Sequence, residues 1–237
     1  DNIDSFIADH GISTGAFTDI YLGDTFTINY NGSNKTIRVA GFNIYYGTGD
    51  TAFWKNHIVC VPDNSLLTAA MNSTNTTGKS ANEANTSDKQ AFLGSDMFNI
   101  TLKDVDAKLT AIFGGHLLTH RELLSNSMDP NQTSGGMTSW KGASNNWEWV
   151  DVKSMLMSEV EVYGSTVWSS SPYDTGMSNR QLPLFAVEPR FISQAREWYW
   201  LKDVASSTCF CSADGFGGSD CGYASGVRGV RPRFLLG

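Results

Sequence analysis

The sequence predicts an α+β fold in which strands outnumber helices. Several short apolar runs alternate with polar residues and are bounded by turn residues, which is typical of strands. One segment that begins near Thr101 carries apolar residues at helical spacing instead. The 237 residues are 41% hydrophobic and include 23 Gly and 7 Trp, which allows a sizeable core with many loops.

The first fifty residues predict a short helix followed by a β-hairpin. Residues 4–10 place apolar side chains on one helical face, although a frayed terminus is the alternative. Residues 25–30 alternate as a strand, and Asn31-Gly32 is a strong hairpin signal before the returning strand. We therefore divide the chain into residues 1–50, a helix and hairpin that connect to an upstream stalk, and residues 51–237, the main domain.

In the main domain the strongest local signal is the helix that begins near Thr101. Thr101 and Asp104 form a capping-box pattern, and Gly114-Gly115 ends the apolar repeat. Residues 182–187 predict a buried strand, whose Pro183 indicates a sheet edge. His116 and His120 are four residues apart without the Glu of a zinc-protease helix, so we expect a buried, hydrogen-bonded histidine pair.

Charge and composition exclude several classes of partner. The net charge of -7 and the pI near 5.0 argue against binding to nucleic acid, which needs a clustered basic face. No apolar run approaches the roughly 20 residues that span a membrane, and no signal peptide is visible. Because the chain opens at Asp1 without a Met, we expect a fragment or a processed product.

The most unusual stretch of the chain is its C-terminal segment, residues 196–237. Two apolar runs, 198–201 and 230–236, predict core strands. Between them, residues 209–228 are rich in Gly, Ser, Asp and Cys, and also contain Phe210, Phe216 and Tyr223. A disordered linker of that length rarely carries three aromatics and three cysteines. We therefore predict a displayed surface held by a rigid frame.

Both ends of this segment resemble a known family. The opening W-Y-W-L-K-D-V-A-S-S and the close G-V-R-P-R-F-L-L are similar to the variable C-terminal module of C-type-lectin-fold proteins that diversity-generating retroelements rewrite. Phage tail receptor-binding proteins of the major-tropism-determinant kind belong to that family. The resemblance implies a C-type-lectin-like fold, a place on the virion tail or a bacterial cell surface, and a host cell-surface protein or glycan as partner. It also implies a homo-oligomer, such as a trimer, formed through a preceding part of the chain, and no cofactor.

The genetic code gives this resemblance a test. In that family the retroelement replaces adenines, mostly in Asn codons of the form AAY. Such replacement reaches many residue types but cannot produce Lys, Glu, Gln, Met or Trp. Residues 209–228 contain none of these five types, which the rest of the chain uses regularly. This absence supports a diversified block.

A diversified block must expose its exchangeable side chains, because a packed core tolerates few of those residues. We expect one contiguous exposed face, with Phe216, Tyr223 and Arg228 as the strongest contributors to binding. The frame should contain Trp198, Trp200, Leu201, Val230, Pro232 and Phe234, with Arg231 satisfying buried carbonyls or a carboxylate. The predicted ligand-binding residues are Tyr199, Cys209, Cys211, Ala213, Phe216, Asp220, Tyr223, Val227 and Arg228.

Two other functions and three roles for the cysteines remain open. Formylglycine-generating enzymes share the C-type-lectin fold and bind copper through a cysteine pair, a role that Cys209 or Cys211 with Cys221 could take. No paired carboxylates or nucleophile motif accompany them, so we predict that the chain is not an enzyme. A secreted calcium lectin lacks its usual triplets here, and Asp214 and Asp220 alone make a poor calcium shell. The cysteines themselves could form a disulfide, bind a metal, or be free products of codon randomisation.

Overall fold

The computed structural model describes residues 2–78, 89–128, 144–169 and 180–237. They form a mixed α+β structure made mostly of sheets, with few helices. Short 3₁₀ turns occupy Gly114–His116 and Pro189–Ser193, and a π-helical turn occupies Met97–Thr101. The α-helices are α1 (Ile3–Asp9), α2 (Leu102–Phe113), α3 (Glu159–Tyr163) and α4 (Pro183–Val187).

The described strands form two five-stranded sheets and a two-stranded ribbon. They are β1 (Thr25–Tyr30), β2 (Ser33–Phe42), β3 (Ile58–Pro62), β4 (Leu67–Ala70), β5 (His120–Met128), β6 (Ser144–Val152), β7 (Ser154–Leu156), β8 (Tyr199–Val204), β9 (Cys209–Ala213), β10 (Ser219–Tyr223), β11 (Val227–Val230) and β12 (Pro232–Leu236). The first sheet has the order β1-β2-β3-β12-β7 and the second β10-β9-β8-β11-β4. The ribbon pairs β5 with β6, and β8 and β11 are parallel neighbours.

The predicted N-terminal helix and hairpin are confirmed. The Asn2 side chain accepts a hydrogen bond from the Asp4 N–H at the start of α1. Asn31 and Gly32 both have positive φ, 52° and 80°, as a tight two-residue hairpin turn requires. The hairpin β1–β2 pairs with β3, and β3 pairs with β12, so the first and last strands of the chain share one sheet.

Two local predictions in the main domain are wrong. Helix α2 is where the sequence places it, but Thr101 makes no capping hydrogen bond, because a π-helical turn runs directly into α2. Residues 182–187 form a helix and not a strand: Pro183 occupies the first turn of α4, where its missing N–H costs nothing. Leu184 and Phe185 are buried on this short helix, so the apolar run serves a helical face.

The two sheets pack as layers, with α2 on the outer side of the first sheet. Because side chains alternate along a strand, Phe234 and Leu236 of β12 face α2, whereas Leu235 faces the second sheet. On β8, Tyr199 and Leu201 face the first sheet in the same way. Trp200, the neighbour of both, points to the opposite side, into a third apolar cluster. Strands β8 and β12 of the C-terminal segment therefore lie at the centre of the fold.

A buried cluster of charged groups links β12 to the rest of the core. The Arg233 guanidinium, which is fully buried, donates from Nε to Glu161 Oε1 at 2.6 Å and from Nη2 to Glu122. Lys202 Nζ donates to Glu122 Oε2 at 2.7 Å. Burial opposes ionisation of Glu122, but the charges of Arg233 and Lys202 hold the pKa of that carboxyl well below its usual range. Two cations thus balance two carboxylates.

Arg231, two residues earlier and directly before β12, binds backbone groups. Its Nε donates to the Pro62 carbonyl at 2.7 Å. Its Nη1 and Nη2 donate to the carbonyls of Ile192 and Phe191 at 3.0 and 2.9 Å. The prediction that Arg231 satisfies buried carbonyls is confirmed, and this residue fastens the 3₁₀ turn Pro189–Ser193 to β3.

The predicted histidine pair is wrong. The buried His120 ring lies against Glu122, with 2.8 Å between His120 Nε2 and Glu122 Oε1. His116 is partly exposed and contacts Asp4 and the Gly237 carbonyl instead. His120 belongs to β5 and His116 to the turn before it, so the helical spacing assumed for the pair does not exist. No helix in the described part of the chain is long and apolar enough to cross a membrane.

Candidate binding surface

The block of residues 209–228 is a β-hairpin followed by a turn into β11. Strands β9 and β10 pair in antiparallel register from Ser219↔Ala213 to Tyr223↔Cys209. At the hairpin tip, Asp214 Oδ1 accepts hydrogen bonds from the N–H groups of Phe216 and Gly218, both at 2.8 Å. The Asp214 N–H donates to the Gly218 carbonyl at 2.9 Å. One side chain therefore fixes the conformation of the whole tip.

This tip presents a single large side chain to solvent. Phe216 is 87% exposed. Its neighbours are glycines for steric reasons: a Cβ on Gly215 would lie 2.7 Å from the Arg196 carbonyl oxygen, and Gly217 has φ +91°. Phe216 is therefore the side chain of the tip that is most accessible to a partner.

Beside the tip, Arg228 lies between aromatic rings. Its guanidinium carbon is 4.6 Å from the Trp198 ring centroid and 4.8 Å from that of Trp200, both suitable for cation–π interaction. Nη1 donates to Ser212 Oγ and lies 3.9 Å from Asp220 Oδ2. The guanidinium also covers the position where Gly222 lacks a side chain. Arg228 is thus half-buried and held in one orientation.

Trp198 completes this side of the segment and was assigned to the frame by the sequence. It is 44% exposed, and its Cδ1 atom is 3.6 Å from the Cβ position of Gly215 at the tip. Because it contacts both the tip and Arg228, Trp198 joins the two. Its position just before β8, outside the strand itself, is the signal that could have identified it.

Tyr223 and Val227 flank the turn between β10 and β11, and both are mostly exposed. The Gly226 N–H donates to the Tyr223 carbonyl at 2.8 Å, which closes the turn. The Ala224 carbonyl accepts from Met71 and Asn72, and its N–H donates to Thr208, so the turn is anchored to neighbouring loops. The exposure predicted for Phe216, Tyr223 and Val227 is confirmed.

For four predicted ligand-binding residues the expected exposure is wrong. Tyr199, Cys209, Cys211 and Ala213 are buried between the two sheets. Residues 209–213 form a strand and not a loop, so alternate side chains enter the core. Tyr199 belongs to the central strand β8, with its ring on the same inner side. These four residues are frame.

The single contiguous face is also wrong. Asp220 and Arg228 lie on the side of the second sheet that carries Ser212, whereas Tyr223 is opposite Cys209 on the other side. Val227 precedes Arg228 in β11, so strand alternation points it away from that side as well. We call the group formed by Trp198, Phe216, Asp220 and Arg228 the tip surface, and Tyr223 with Val227 the turn surface.

The four cysteines are free. A hydrogen bond from Cys221 lowers the pKa of Cys209 to about 6, and burial raises the pKa of Cys211. Among the described residues, no group of three or more His, Cys, Asp or Glu side chains is arranged to hold a metal ion. Comparisons with protein-family models, with curated proteins and with solved structures found no match for this chain.

Proposed function

We propose that this chain is a receptor-binding protein of a phage tail, which attaches to its host through a diversified surface on a C-type-lectin-like frame. One observation carries the proposal. Of the ten large hydrophobic side chains exposed among the described residues, four lie inside the C-terminal segment, between residues 198 and 227. They are Trp198, Phe216, Tyr223 and Val227. The strands that flank them are buried, so the apolar exposure is local and not a sign of a loose fold.

The chemistry of the tip surface suits macromolecular recognition. Aromatic and Arg side chains dominate the binding energy of protein interfaces. Here Arg228 stacks on Trp198, and Trp198 lies beside Gly215, the residue that precedes Phe216. Asp214 fixes the backbone that carries Phe216, and the cation–π contacts orient Arg228, which reduces the entropy lost on association. A host cell-surface protein or glycan would therefore meet a rigid surface.

The packing also separates positions that can vary from positions that cannot. Phe216, Asp220, Tyr223 and Val227 have room for the residues that adenine replacement produces. Gly215 has none, because any side chain would collide with the Arg196 carbonyl. Several copies on a homo-oligomeric tail, such as a trimer, would add avidity to a modest single-site affinity.

The nucleotide sequence around the coding region provides the first test. We expect a near-copy of the segment that encodes residues 198–237, which differs from it only at adenines. The differences should fall in the codons of Phe216, Asp220, Tyr223 and Val227, and the codon of Gly215 should be identical in both copies. Diversification would be contradicted by a near-copy whose differences fall on all four kinds of base and not only on adenines. It would also be contradicted by a difference in the codon of Gly215.

Binding to bacterial cells provides the second test. The labelled protein is measured on a panel of strains, and its variants are then compared on a strain that it binds. We expect Phe216→Ser to weaken binding at least about tenfold, as for an interface anchor, with Tyr223→Ser showing a smaller loss. Tyr21→Ser is the matched control, because Tyr21 is 65% exposed and Tyr223 63%. Equal losses for Tyr21→Ser and Phe216→Ser, or no loss for Phe216→Ser, would reject the tip surface.

A further inference from the structure

Three cysteines of the C-terminal segment lie on one side of the β9–β10 hairpin. Cys221 of β10 is directly opposite Cys211 of β9, and Cys209 is opposite Tyr223. All of these side chains therefore point toward the same face of the second sheet. Cys211 is fully buried there, and Cys221 is partly exposed at the edge strand.

The hydrogen-bond pattern of the hairpin fixes the spacing of the opposite pair. The backbone N–H of Asp214 donates to the Gly218 carbonyl at one end of the hairpin. The backbone N–H of Ala224 donates to the Thr208 carbonyl at the other end, and both distances are 2.9 Å. In an antiparallel pair, hydrogen-bonded and non-hydrogen-bonded positions alternate. Counting inward from both ends makes Cys211 and Cys221 a non-hydrogen-bonded pair, whose Cα atoms are about 4.5 Å apart.

That separation selects one cysteine pair. A disulfide needs a Cα–Cα distance of about 4.4–6.8 Å, which the opposite pair meets without backbone movement. Cys209 is diagonal to Cys221, and diagonal Cα atoms are about 7–8 Å apart, which is beyond that range. Cys60 lies on β3 of the other sheet.

We propose that Cys211 and Cys221 are a redox-active pair that forms a cross-strand disulfide beneath the hairpin. The oxidant is a low-molecular-weight disulfide such as oxidised glutathione. The Cys221 thiolate attacks it, forms a mixed disulfide and releases one reduced glutathione. The Cys211 thiolate then attacks the Cys221 sulfur and releases the second. Two protein thiols lose two electrons and two protons, and one oxidised glutathione becomes two reduced molecules.

Cys209 assists the first step. The Cys221 thiol donates a hydrogen bond to the Cys209 sulfur, and this contact lowers the pKa of Cys209 to about 6. The same hydrogen bond raises the pKa of Cys221, so within the pair Cys209 is the group that accepts the proton of Cys221 as that thiol attacks. In the second step Cys211 must first lose its own proton, because only the thiolate is nucleophilic, and burial raises the pKa of this thiol.

The bridge would tie the edge strand β10 to β9 between the tip and the turn. It closes a short loop that contains Asp214 and Phe216, so we expect it to raise the Tm by about 5 °C. The inference rests on register and spacing and does not depend on the proposed receptor-binding function.

The test uses the wild-type chain, incubated with excess oxidised glutathione, denatured and alkylated. We expect two of the four thiols to react, those of Cys60 and Cys209. Proteolysis on the N-terminal side of Asp203, Asp214 and Asp220 separates residues 203–213 from the peptide that contains Cys221. Fragmentation of the cross-linked pair then shows which cysteine, Cys209 or Cys211, carries the bond.

Three results would overturn the proposal. They are alkylation of all four thiols, glutathione retained on Cys221 without a cross-link, and a cross-link to Cys209. Variants add an independent check: Cys60→Ala and Cys209→Ser should keep the bridge, the second forming it several-fold more slowly, and Cys211→Ser should lose it. Loss of the bridge in Cys209→Ser together with its retention in Cys211→Ser would also reject the assignment.

Discussion

Strand β12 and the β9–β10 hairpin are parts of one 42-residue segment, and they distribute polarity in opposite ways. Arg233 of β12 and Arg231, which directly precedes that strand, are 0% and 2% exposed, whereas Phe216 at the hairpin tip is 87% exposed. The buried charges are stabilised by hydrogen bonds from each guanidinium. Arg231 donates to three carbonyls, and Arg233 donates to two carboxylates. The tip can expose an apolar side chain because its backbone conformation is fixed by Asp214 and by glycines and does not depend on side-chain packing.

In this segment, whether a side chain is buried depends on the hydrogen-bond partners available to it and not on its hydrophobicity. A guanidinium that satisfies three carbonyls joins elements that a methyl group could not join. A phenyl ring that packs on nothing can be exchanged without disturbing the frame. Under the proposed function, a frame built in this way would stay stable while the exposed side chains change.

The largest expected effect concerns the ionic cluster. Arg233→Met leaves Glu122 with Lys202 and His120, and it removes the guanidinium that, among the described residues, pairs with the Glu161 carboxylate. Losing one member of a buried, balanced cluster costs about 3–5 kcal/mol. We expect the free energy of unfolding, measured by urea titration, to fall by about 4 kcal/mol.

Arg121→Met is the matched control for this prediction. Arg121 also forms a two-pronged pair, with Asp50, but the pair is partly exposed to solvent. Exposed pairs contribute about 0–1 kcal/mol, so this variant should remain close to wild type. Similar losses for the two variants would show that burial does not distinguish the frame.

Arg231→Leu is the next largest effect. Three carbonyls, those of Pro62, Phe191 and Ile192, lose their donor in a site that is closed to water. A buried acceptor left unsatisfied costs about 1–3 kcal/mol, and partial relaxation reduces the sum. We expect a loss of about 3 kcal/mol in the same urea titration. An unchanged midpoint would mean that these carbonyls bind water and do not depend on Arg231.

The frame was predictable from sequence where local signals agree with tertiary packing. Residues 25–30 alternate, Asn31-Gly32 demands positive φ, and α2 ends at paired glycines, so each boundary follows from local chemistry. Arg231 was assigned correctly because an arginine inside an apolar run must find acceptors. Residues 182–187 failed because a short apolar run with one Pro fits an edge strand and a helix start equally well.

The site was predictable in part, for a physical reason. The composition of residues 209–228 predicted an exposed binding surface, but composition does not reveal which of these residues form strands. Cys209, Cys211 and Ala213 alternate with Phe210 and Ser212, and small residues at alternate positions carry no apolar pattern strong enough to indicate a buried face. Their burial depends on β8 and the first sheet, which come together only in the folded chain.

The third prediction concerns the pH dependence of the frame. Burial, together with the negative charge of Glu159, raises the pKa of Asp203 to about 7. The folded chain therefore keeps a proton on Asp203 that the unfolded chain loses near pH 4. Its contribution to stability is fully present below that pH and is lost as the pH rises toward 7.

Asp203→Asn removes this titration and keeps an oxygen that can accept the Glu159 N–H, which lies 2.5 Å from Asp203 Oδ2 in the wild type. We expect the unfolding free energy of the variant, relative to wild type, to improve by about 2 kcal/mol between pH 4 and pH 8. All other titrating groups are shared, so their contributions cancel in the difference. A difference that stays constant with pH would show that Asp203 is ionised in the folded chain throughout.

The smallest expected effect is at the tip. Phe216→Ser removes a ring that is almost fully exposed, while the N–H of residue 216 still donates to Asp214. Substitutions away from packed features change stability by less than about 0.5 kcal/mol, so the Tm should not move measurably. One residue earlier, Gly215→Ala places a methyl group 2.7 Å from the Arg196 carbonyl and should cost about 1–3 kcal/mol. A fall in Tm for Phe216→Ser that matches the fall for Gly215→Ala would mean that the ring packs within the chain, and the exchangeable surface would then be limited to Tyr223 and Val227.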